Sequence, residues 1–213
     1  MINQDLNTYY TNTAAELENA YNEPERQDDL EAIAERVADL LDGHTVLELA
    51  CGTGYWTRRI AASADSVHAI DINETLLALA REETPDNATY AQGDAFDLPA
   101  AVGQYTAVFA AGWWSHVRRE QAEKYLAHLR AQLGKDVLLV LVDNCYVEGS
   151  TTVTARTDLE GNTFQLRQVG SERFEVMENF PTDSYLRKKF AGAVREIRVR
   201  RNDHYWLLTG RLK

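Results

Sequence analysis

Between Thr45 and Trp56 the chain passes from an apolar strand pattern, TVLELA, through CGTG into a helical pattern that begins YWTRRI. A strand that turns at once into a helix needs residues free to take positive φ, and Gly52 and Gly54 supply that freedom. Few architectures accommodate such a junction. The helix must pack back on the sheet and return the chain to a parallel strand by a right-handed crossover.

The alternation repeats. Leu30, Ile33, Ala34, Val37, Leu40 and Leu41 mark one face of a helix that starts after Pro24 and stops at Gly43. SVHAID (66–71) reads as a second strand, Asn73 as the cap of the helix NETLLALAREE, ATYAQGD (88–94) as a third strand and QYTAVFAA (104–111) as a fourth. The next helix carries Ala122, Tyr125, Leu126, Leu129 and Leu133 on one face and stops at Gly134. Val137–Val142 is apolar without alternation, as in a strand covered on both faces. Strands alternating with helices predict an α/β fold, a three-layer Rossmann-like sandwich.

After Asp143 the rhythm changes. TTVTAR, TFQLRQV and RFEVME are short β-like runs, the first two separated by DLEGN, and they predict an antiparallel β insertion over 144–180. A helix then runs through YLRKKF, and VREIRVRR and HYWLLTGRL form two strands joined by a tight Asn202–Asp203 turn. The chain reads as a single domain over 1–213, with a polar, tyrosine-bearing segment at 1–23.

Charge narrows the partners. With 33 acidic against 22 basic residues the net charge is −11, which disfavours nucleic-acid backbones and anionic membrane surfaces alike. No apolar run is long enough to span a bilayer, and the polar first twenty residues lack the apolar core of a signal peptide, so a cytoplasmic location is expected. Cys51 and Cys145 have no metal-ligand spacing and read as free thiols, and no metal is expected.

Asp71 ends the strand after the glycine turn, where a carboxylate accepts from both hydroxyls of a ribose. Turn and acid together point to a nucleoside-containing cofactor. The dinucleotide fingerprint G-x-G-x-x-G fails, because GTGYWT places Thr57 at the third glycine, and no Gly-Lys-Ser/Thr ending marks a phosphate loop. Glu48, just before the turn, would repel pyrophosphate but suits an ammonium group.

On these residues the chain resembles the class I S-adenosylmethionine-dependent methyltransferases, of the small bacterial type that acts on small molecules. The resemblance covers residues 25–143 and extends by topology to the terminal helix and hairpin. The family pattern D/E-x-G-x-G-x-G maps onto Glu48-x-Ala50-x-Gly52-x-Gly54, with Ala50 replacing the first glycine. The resemblance implies a seven-stranded sheet of order 3-2-1-4-5-7-6 with strand 7 antiparallel. It implies that Glu48, Ala50, Cys51, Gly52 and Gly54 face the methionyl end of the cofactor, that Asp71 holds the ribose and Ile72 packs on the adenine. In AQGDAFDLP, Asp94 would accept from the adenine amino group and the Ala95–Phe96 backbone would meet the ring edge, while Gly112 lies beside the methionyl moiety. By the same likeness the N-terminal tyrosines, Tyr10 among them, form a lid over the cofactor.

The acceptor would enter at the C-terminal ends of the strands. Trp113, Trp114 and Tyr146 follow strands four and five there, with either one tryptophan facing the pocket or one in the core and one under the insertion. His116 is a base by position, or a residue that fixes the loop. Arg156 and Arg167 in the insertion are available to an anionic group, or lie on solvated strand faces. The insertion roofs the pocket or pairs with a second subunit, so the chain is read as a monomer or homodimer. The expected activity is methyl transfer to a small aromatic or heterocyclic metabolite by direct displacement. The alternatives are a non-catalytic S-adenosylmethionine-binding regulatory module and a methyltransferase acting on a protein. The Asn/Asp-Pro-Pro-aromatic motif of nucleic-acid amino methylation is missing at AGWWSH.

Overall fold

A computed structural model describes residues 4–213; residues 1–3 of the expected lid lie outside the described residues. The chain runs α1 (Gln4–Thr13), 3₁₀ turns over Ala14–Asn22 and Pro24–Arg26, then α2 (Gln27–Leu41), β1 (Thr45–Leu49), α3 (Tyr55–Ile60), β2 (Ser66–Asp71), α4 (Glu74–Ala80) and β3 (Ala88–Gln92). It continues through β4 (Ala107–Ala111), α5 (Ala122–Leu133), β5 (Leu138–Asn144), β6 (Thr154–Thr157), β7 (Thr163–Val169), β8 (Glu172–Met177), α6 (Asp183–Phe190), β9 (Val194–Arg201) and β10 (Tyr205–Leu212).

Seven strands form the main sheet in the order β3-β2-β1-β4-β5-β10-β9. Neighbours from β3 to β5 are parallel, and β10 runs antiparallel to both β5 and β9. This is the 3-2-1-4-5-7-6 order, with β9 and β10 as the sixth and seventh strands. The second sheet, β6-β7-β8, is antiparallel and lies in the chain between β5 and α6, as the change of rhythm after Asp143 predicts.

Strand pleating divides the core into two layers. On one face Val46, Phe109, Val140 and Val142 pack with Leu30, Ile33 and Val37 of α2 and with Trp56 and Ile60 of α3. On the other, Leu47, Leu49, Val108, Leu139 and Leu141 meet Leu126, Leu129 and Leu133 of α5 and Phe190 of α6. The helix ends follow local chemistry. Asn73 caps α4 by accepting from the N–H groups of Thr75 and Leu76, and Thr182 caps α6 by accepting from Tyr185. The fourth strand starts at Ala107, later than the apolar pattern suggests, although the Thr106 N–H already donates to the Thr45 carbonyl and the Thr106 carbonyl accepts from the Leu138 N–H.

The N-terminal segment departs furthest from a frayed polar terminus. Leu6, Tyr9 and Tyr10 pack with Phe174 and Val176 of β8, joining α1 to the second sheet in a satellite core. Among the described residues, no helix is long and apolar enough to cross a membrane.

Phe109 is fully buried between the neighbours of β4, with the Trp56 ring 5.6 Å away. Phe109→Ala is expected to destabilise the protein by about 3–5 kcal/mol, read as a fall in the urea midpoint. A loss under about 1 kcal/mol would mean that this layer repacks around the cavity.

Candidate active site

The main cavity, about 650 Å³, opens at the C-terminal ends of the parallel strands. Its floor is the turn after β1, where Ala50, Gly52 and Gly54 have φ of 53°, 58° and 82°. Gly54 is held open by a neighbour: a Cβ there would lie 2.4 Å from the Tyr90 hydroxyl. Asp71 links this turn to the next. One carboxylate oxygen accepts from the Gly52 N–H at 2.9 Å and the other from the Asn73 N–H at 2.8 Å. Each oxygen keeps a second lone pair. Burial pushes the Asp71 carboxyl upward against these backbone donors.

Glu48 stands beside the floor. Its place on β1 shares the face of Val46, so the pleat aims it beneath α3, where the Thr57 hydroxyl donates to Oε2 at 2.6 Å. It is 2% exposed. Burial pushes its carboxyl up to about 8, with the Thr57 hydrogen bond opposing and the nearby Asp71 adding to the rise.

The roof comes from distant parts of the chain. Leu17 reaches over Gly52, near enough that a Cβ on Gly52 would lie 3.6 Å from its methyl group. Glu18 accepts from the Thr53 hydroxyl and from Arg58, each at 2.7 Å. The Asn73 amide donates to the Thr11 hydroxyl at 2.9 Å. Tyr10 meets His116 Nε2 at 2.8 Å, and His116 Nδ1 lies 2.6 Å from the Met177 carbonyl. A carbonyl only accepts, so Nδ1 carries the proton, and in the neutral ring Nε2 accepts from the Tyr10 hydroxyl. Burial lowers the His116 pKa to about 4, against the help of the Met177 carbonyl. The ring is therefore neutral near pH 7. From the covered face of the second sheet come Gln165 and Arg167. The Gln165 carbonyl accepts from Nε and Nη2 of Arg167, and the buried Glu178 pairs with the same Nη2.

Of the residues expected at the cofactor, Glu48, Ala50, Cys51, Gly52, Asp71, Ile72, Ala95, Gly112 and Tyr10 line the cavity. Gly54, Asp94 and Phe96 stand behind the lining. Asp94 accepts from the Phe96 N–H at 2.8 Å, leaving Gly93 and Ala95 at the wall, and Phe96 packs on Trp113 and Tyr125.

At the expected acceptor side, Trp113 and His116 line the cavity, while three other positions require correction. Trp114 lies in the core, its ring 4.5 Å from Phe190. Tyr146 is 45% exposed and packs edge-on against Phe180. Arg156 lies on the outer face of the second sheet, ion-paired with Glu175 and stacked 3.7 Å over Phe164. Period-two alternation puts Arg156 and Phe164 opposite Gln165 and Arg167. The expected set omits Gln165, Glu178 and Ser115. Gln165 left one trace in the sequence: with Arg167 it places two polar side chains on one face of TFQLRQV.

Glycine turn, buried acid on β1, carboxylate at the end of β2 and a sheet of this order define a nucleoside-binding Rossmann-like domain. Comparison narrows the class. A family described as "Methyltransferase domain" matches residues 46–136. An uncharacterized methyltransferase of Bacillus licheniformis is 25% identical over 168 residues, 78% of this chain and 76% of that protein. A second, from Bacillus cytotoxicus, is 28% identical over 120 residues, and that match spans only 55% of each chain. Among solved structures, DhpI in its complex with SAH superposes with a TM-score of 0.78 at 26% identity, covering 98% of this chain and 96% of DhpI. The DhpI-SAM-HEP complex gives 0.76 at 27%, covering 97% and 96%. These likenesses support a class I S-adenosylmethionine-dependent methyltransferase with S-adenosylmethionine as its cofactor.

Ala50 holds a left-handed conformation where a glycine would be unstrained. Ala50→Gly relieves about 1–2 kcal/mol of strain and gives back about 0.5–1 kcal/mol in unfolded-chain entropy. A net rise in stability of about 0.5–1 kcal/mol is expected from thermal melting. A fall of that size would show that the Ala50 methyl group contributes packing that outweighs the strain.

Proposed function

We propose that this methyltransferase acts on a small molecule held between the glycine turn and the roof. One observation carries the reading: besides the strand ends, the cavity is lined by α1, the 3₁₀ segment after it and the second sheet, and α1 is packed on that sheet. Its volume, about 650 Å³, falls in the range of small-molecule and cofactor sites.

The residues suit the cofactor chemically. In this reading Glu48 faces the methionyl ammonium, and the free lone pairs of Asp71 accept from the ribose hydroxyls. Ile72 covers the adenine, the Gly93–Ala95 edge meets its rim, and Gly112 leaves room beside the methionyl chain. S-adenosylmethionine supplies, when bound, an electrophilic methyl group on a sulfonium sulfur. The protein's own contribution is alignment and exclusion of water. Leu17, Tyr10 and Tyr21 cover the floor, and Trp113, Gln165 and Arg167 form the far wall that orients the acceptor.

Tyr10 and His116 handle the proton of an acceptor that carries one. The acceptor donates to Tyr10 Oη, while the Tyr10 proton passes to His116 Nε2. His116 becomes imidazolium, its Nδ1–H still bonded to the Met177 carbonyl. A ring titrating at about 4 gives weak assistance, so proximity supplies most of the rate.

Two experiments test the reading. A cell extract incubated with the enzyme and methyl-labelled S-adenosylmethionine should carry label in the small-metabolite fraction. Label confined to protein would refute the small-molecule assignment. The second concerns Glu48, protonated below about pH 8 before an ammonium arrives beside it. An ammonium favours the carboxylate, so binding releases a proton. Affinity for S-adenosylhomocysteine should therefore rise between about pH 6 and 7.5, below the titration of the ligand's own amino group. Calorimetry in buffers of different ionisation heat reads the released proton directly. Glu48→Gln should weaken binding by about tenfold and abolish the pH dependence. A wild-type affinity that is flat with pH would remove Glu48 from the ammonium site.

A further inference from the structure

We propose that the roof end of the cavity is an oxyanion site, so that the acceptor is a small molecule bearing a carboxylate or phosphoryl group anchored on Arg167. The proposal rests on the small-molecule reading above and adds the chemical class.

Two guanidinium groups line the cavity, Arg26 and Arg167. Arg26 is engaged at its rim, with Glu23 at 2.8 Å and the Ser150 hydroxyl at 2.8 Å. Arg167 is held differently. Nε and Nη2 are fixed from behind by the Gln165 carbonyl, at 3.1 and 2.8 Å, and Nη2 also by Glu178. Gln165 is itself locked, being fully buried and donating to the Thr152 carbonyl at 2.9 Å. Among the described residues Nη1 has only the Tyr9 hydroxyl, at a long 3.4 Å, which leaves its other N–H without a partner there. With Nε–H and both Nη2 protons engaged, the free Nη1–H can donate to one oxygen of an incoming group, and a second Nη1–H becomes available to another oxygen when the long Tyr9 contact gives way.

The carboxylates around the cavity leave this site electrostatically available. Asp143 accepts from the Ser115 and Asn144 N–H groups, each at 2.8 Å. Glu23 faces Arg26, Glu178 faces Arg167, Glu48 and Asp71 lie at the floor, and Glu16 lines the cavity from the N-terminal 3₁₀ segment. Burial raises the Tyr10 pKa and lowers that of His116; the Arg167 charge opposes the rise at Tyr10 and adds to the fall at His116. A neutral His116 and a protonated Tyr10 next to Arg167 place no anion in competition with an incoming oxyanion. Glu178 balances the guanidinium, so selectivity here comes from directed hydrogen bonds rather than net charge.

The test uses the full chain saturated with S-adenosylhomocysteine, and four probes of similar size: phenylphosphonate, phenylacetate, phenylacetamide and benzylamine. Ligand-observed NMR should give dissociation constants for the two oxyanions at least tenfold below those of the amide and the amine. Arg167→Gln should weaken both oxyanions by ~10- to 100-fold while S-adenosylhomocysteine affinity stays unchanged. Arg173→Gln, an exposed arginine on β8, should alter neither. Because Arg167→Gln strands a buried Glu178, a second measurement uses the wild type: the Arg167 side-chain Nε–H resonance should shift on adding phenylphosphonate. The inference is overturned by amide or amine binding as tightly as the oxyanions, by undiminished oxyanion binding in Arg167→Gln, or by an unmoved Nε–H resonance. Tight binding of the amide or amine would still leave the small-molecule reading standing. No binding by any probe, with methyl label only in protein, would defeat both.

Discussion

The two hydrogen bonds of the Asp71 carboxylate hold the active end of the molecule together. They join the turn after β1, through Gly52, to the turn after β2, through Asn73. Asn73 in turn caps α4 and, through its amide, fastens Thr11 of the N-terminal segment. One buried carboxylate thus fixes two loops directly and the roof indirectly. Backbone donors offset much of the cost of burying it, and a carboxylate accepting several N–H bonds is far cheaper to bury than a bare one. Removing the side chain would release both turns, since a buried N–H left without a partner costs about 1–3 kcal/mol.

Glu48 depends on the same strand geometry. The pleat that sends Val46 into the layer beneath α2 and α3 sends Glu48 to that face at the strand's open end. A one-residue slip of β1 would exchange it for Leu47 or Leu49 and turn the carboxylate into the opposite layer. The parallel pairings of β1 with β2 and β4 prevent that slip. Register is therefore a condition of the chemistry as well as of packing.

What could be read from the sequence divides along the same line. Val46–Trp56, Asp71 and the unalternating Val137–Val142 run point to the α/β class and the floor of the site, because periodicity and turn residues act over a few neighbouring positions, while the strand order comes from the family resemblance. A roof is expected in outline, but its pairings are hidden. Tyr10 meets His116 across 106 residues and Arg167 approaches Tyr9 across 158, and no local pattern encodes such pairings. Trp114 and Arg156 show the same limit from the other side. Their residue types suit a binding wall, yet a ring on Phe190 and an ion pair with Glu175 keep them elsewhere. For Arg156 and Arg167 the deciding fact is strand parity, which becomes informative only once the covered face of the second sheet is known.

A roof built from the N-terminal segment has an energetic consequence. A cofactor beneath it exchanges only when residues over the floor move aside, and their polar attachments include Asn7 and Thr11 to Asn73, Tyr9 to Arg167, Tyr10 to His116, Asn12 to Glu172, Glu18 to Thr53 and Arg58, and Tyr21 to Gln27. Each contributes about 0.5–1.5 kcal/mol net, and the satellite core of Leu6, Tyr9 and Tyr10 against Phe174 and Val176 adds a modest apolar share. Opening this segment therefore costs several kcal/mol, less than unfolding the domain, which places it among the local openings that native proteins sample. In the proposed mechanism the Tyr10–His116 bond belongs to both functions, closing the roof and completing the proton path. On that reading the proton path is assembled only when the site is shut, where water is excluded.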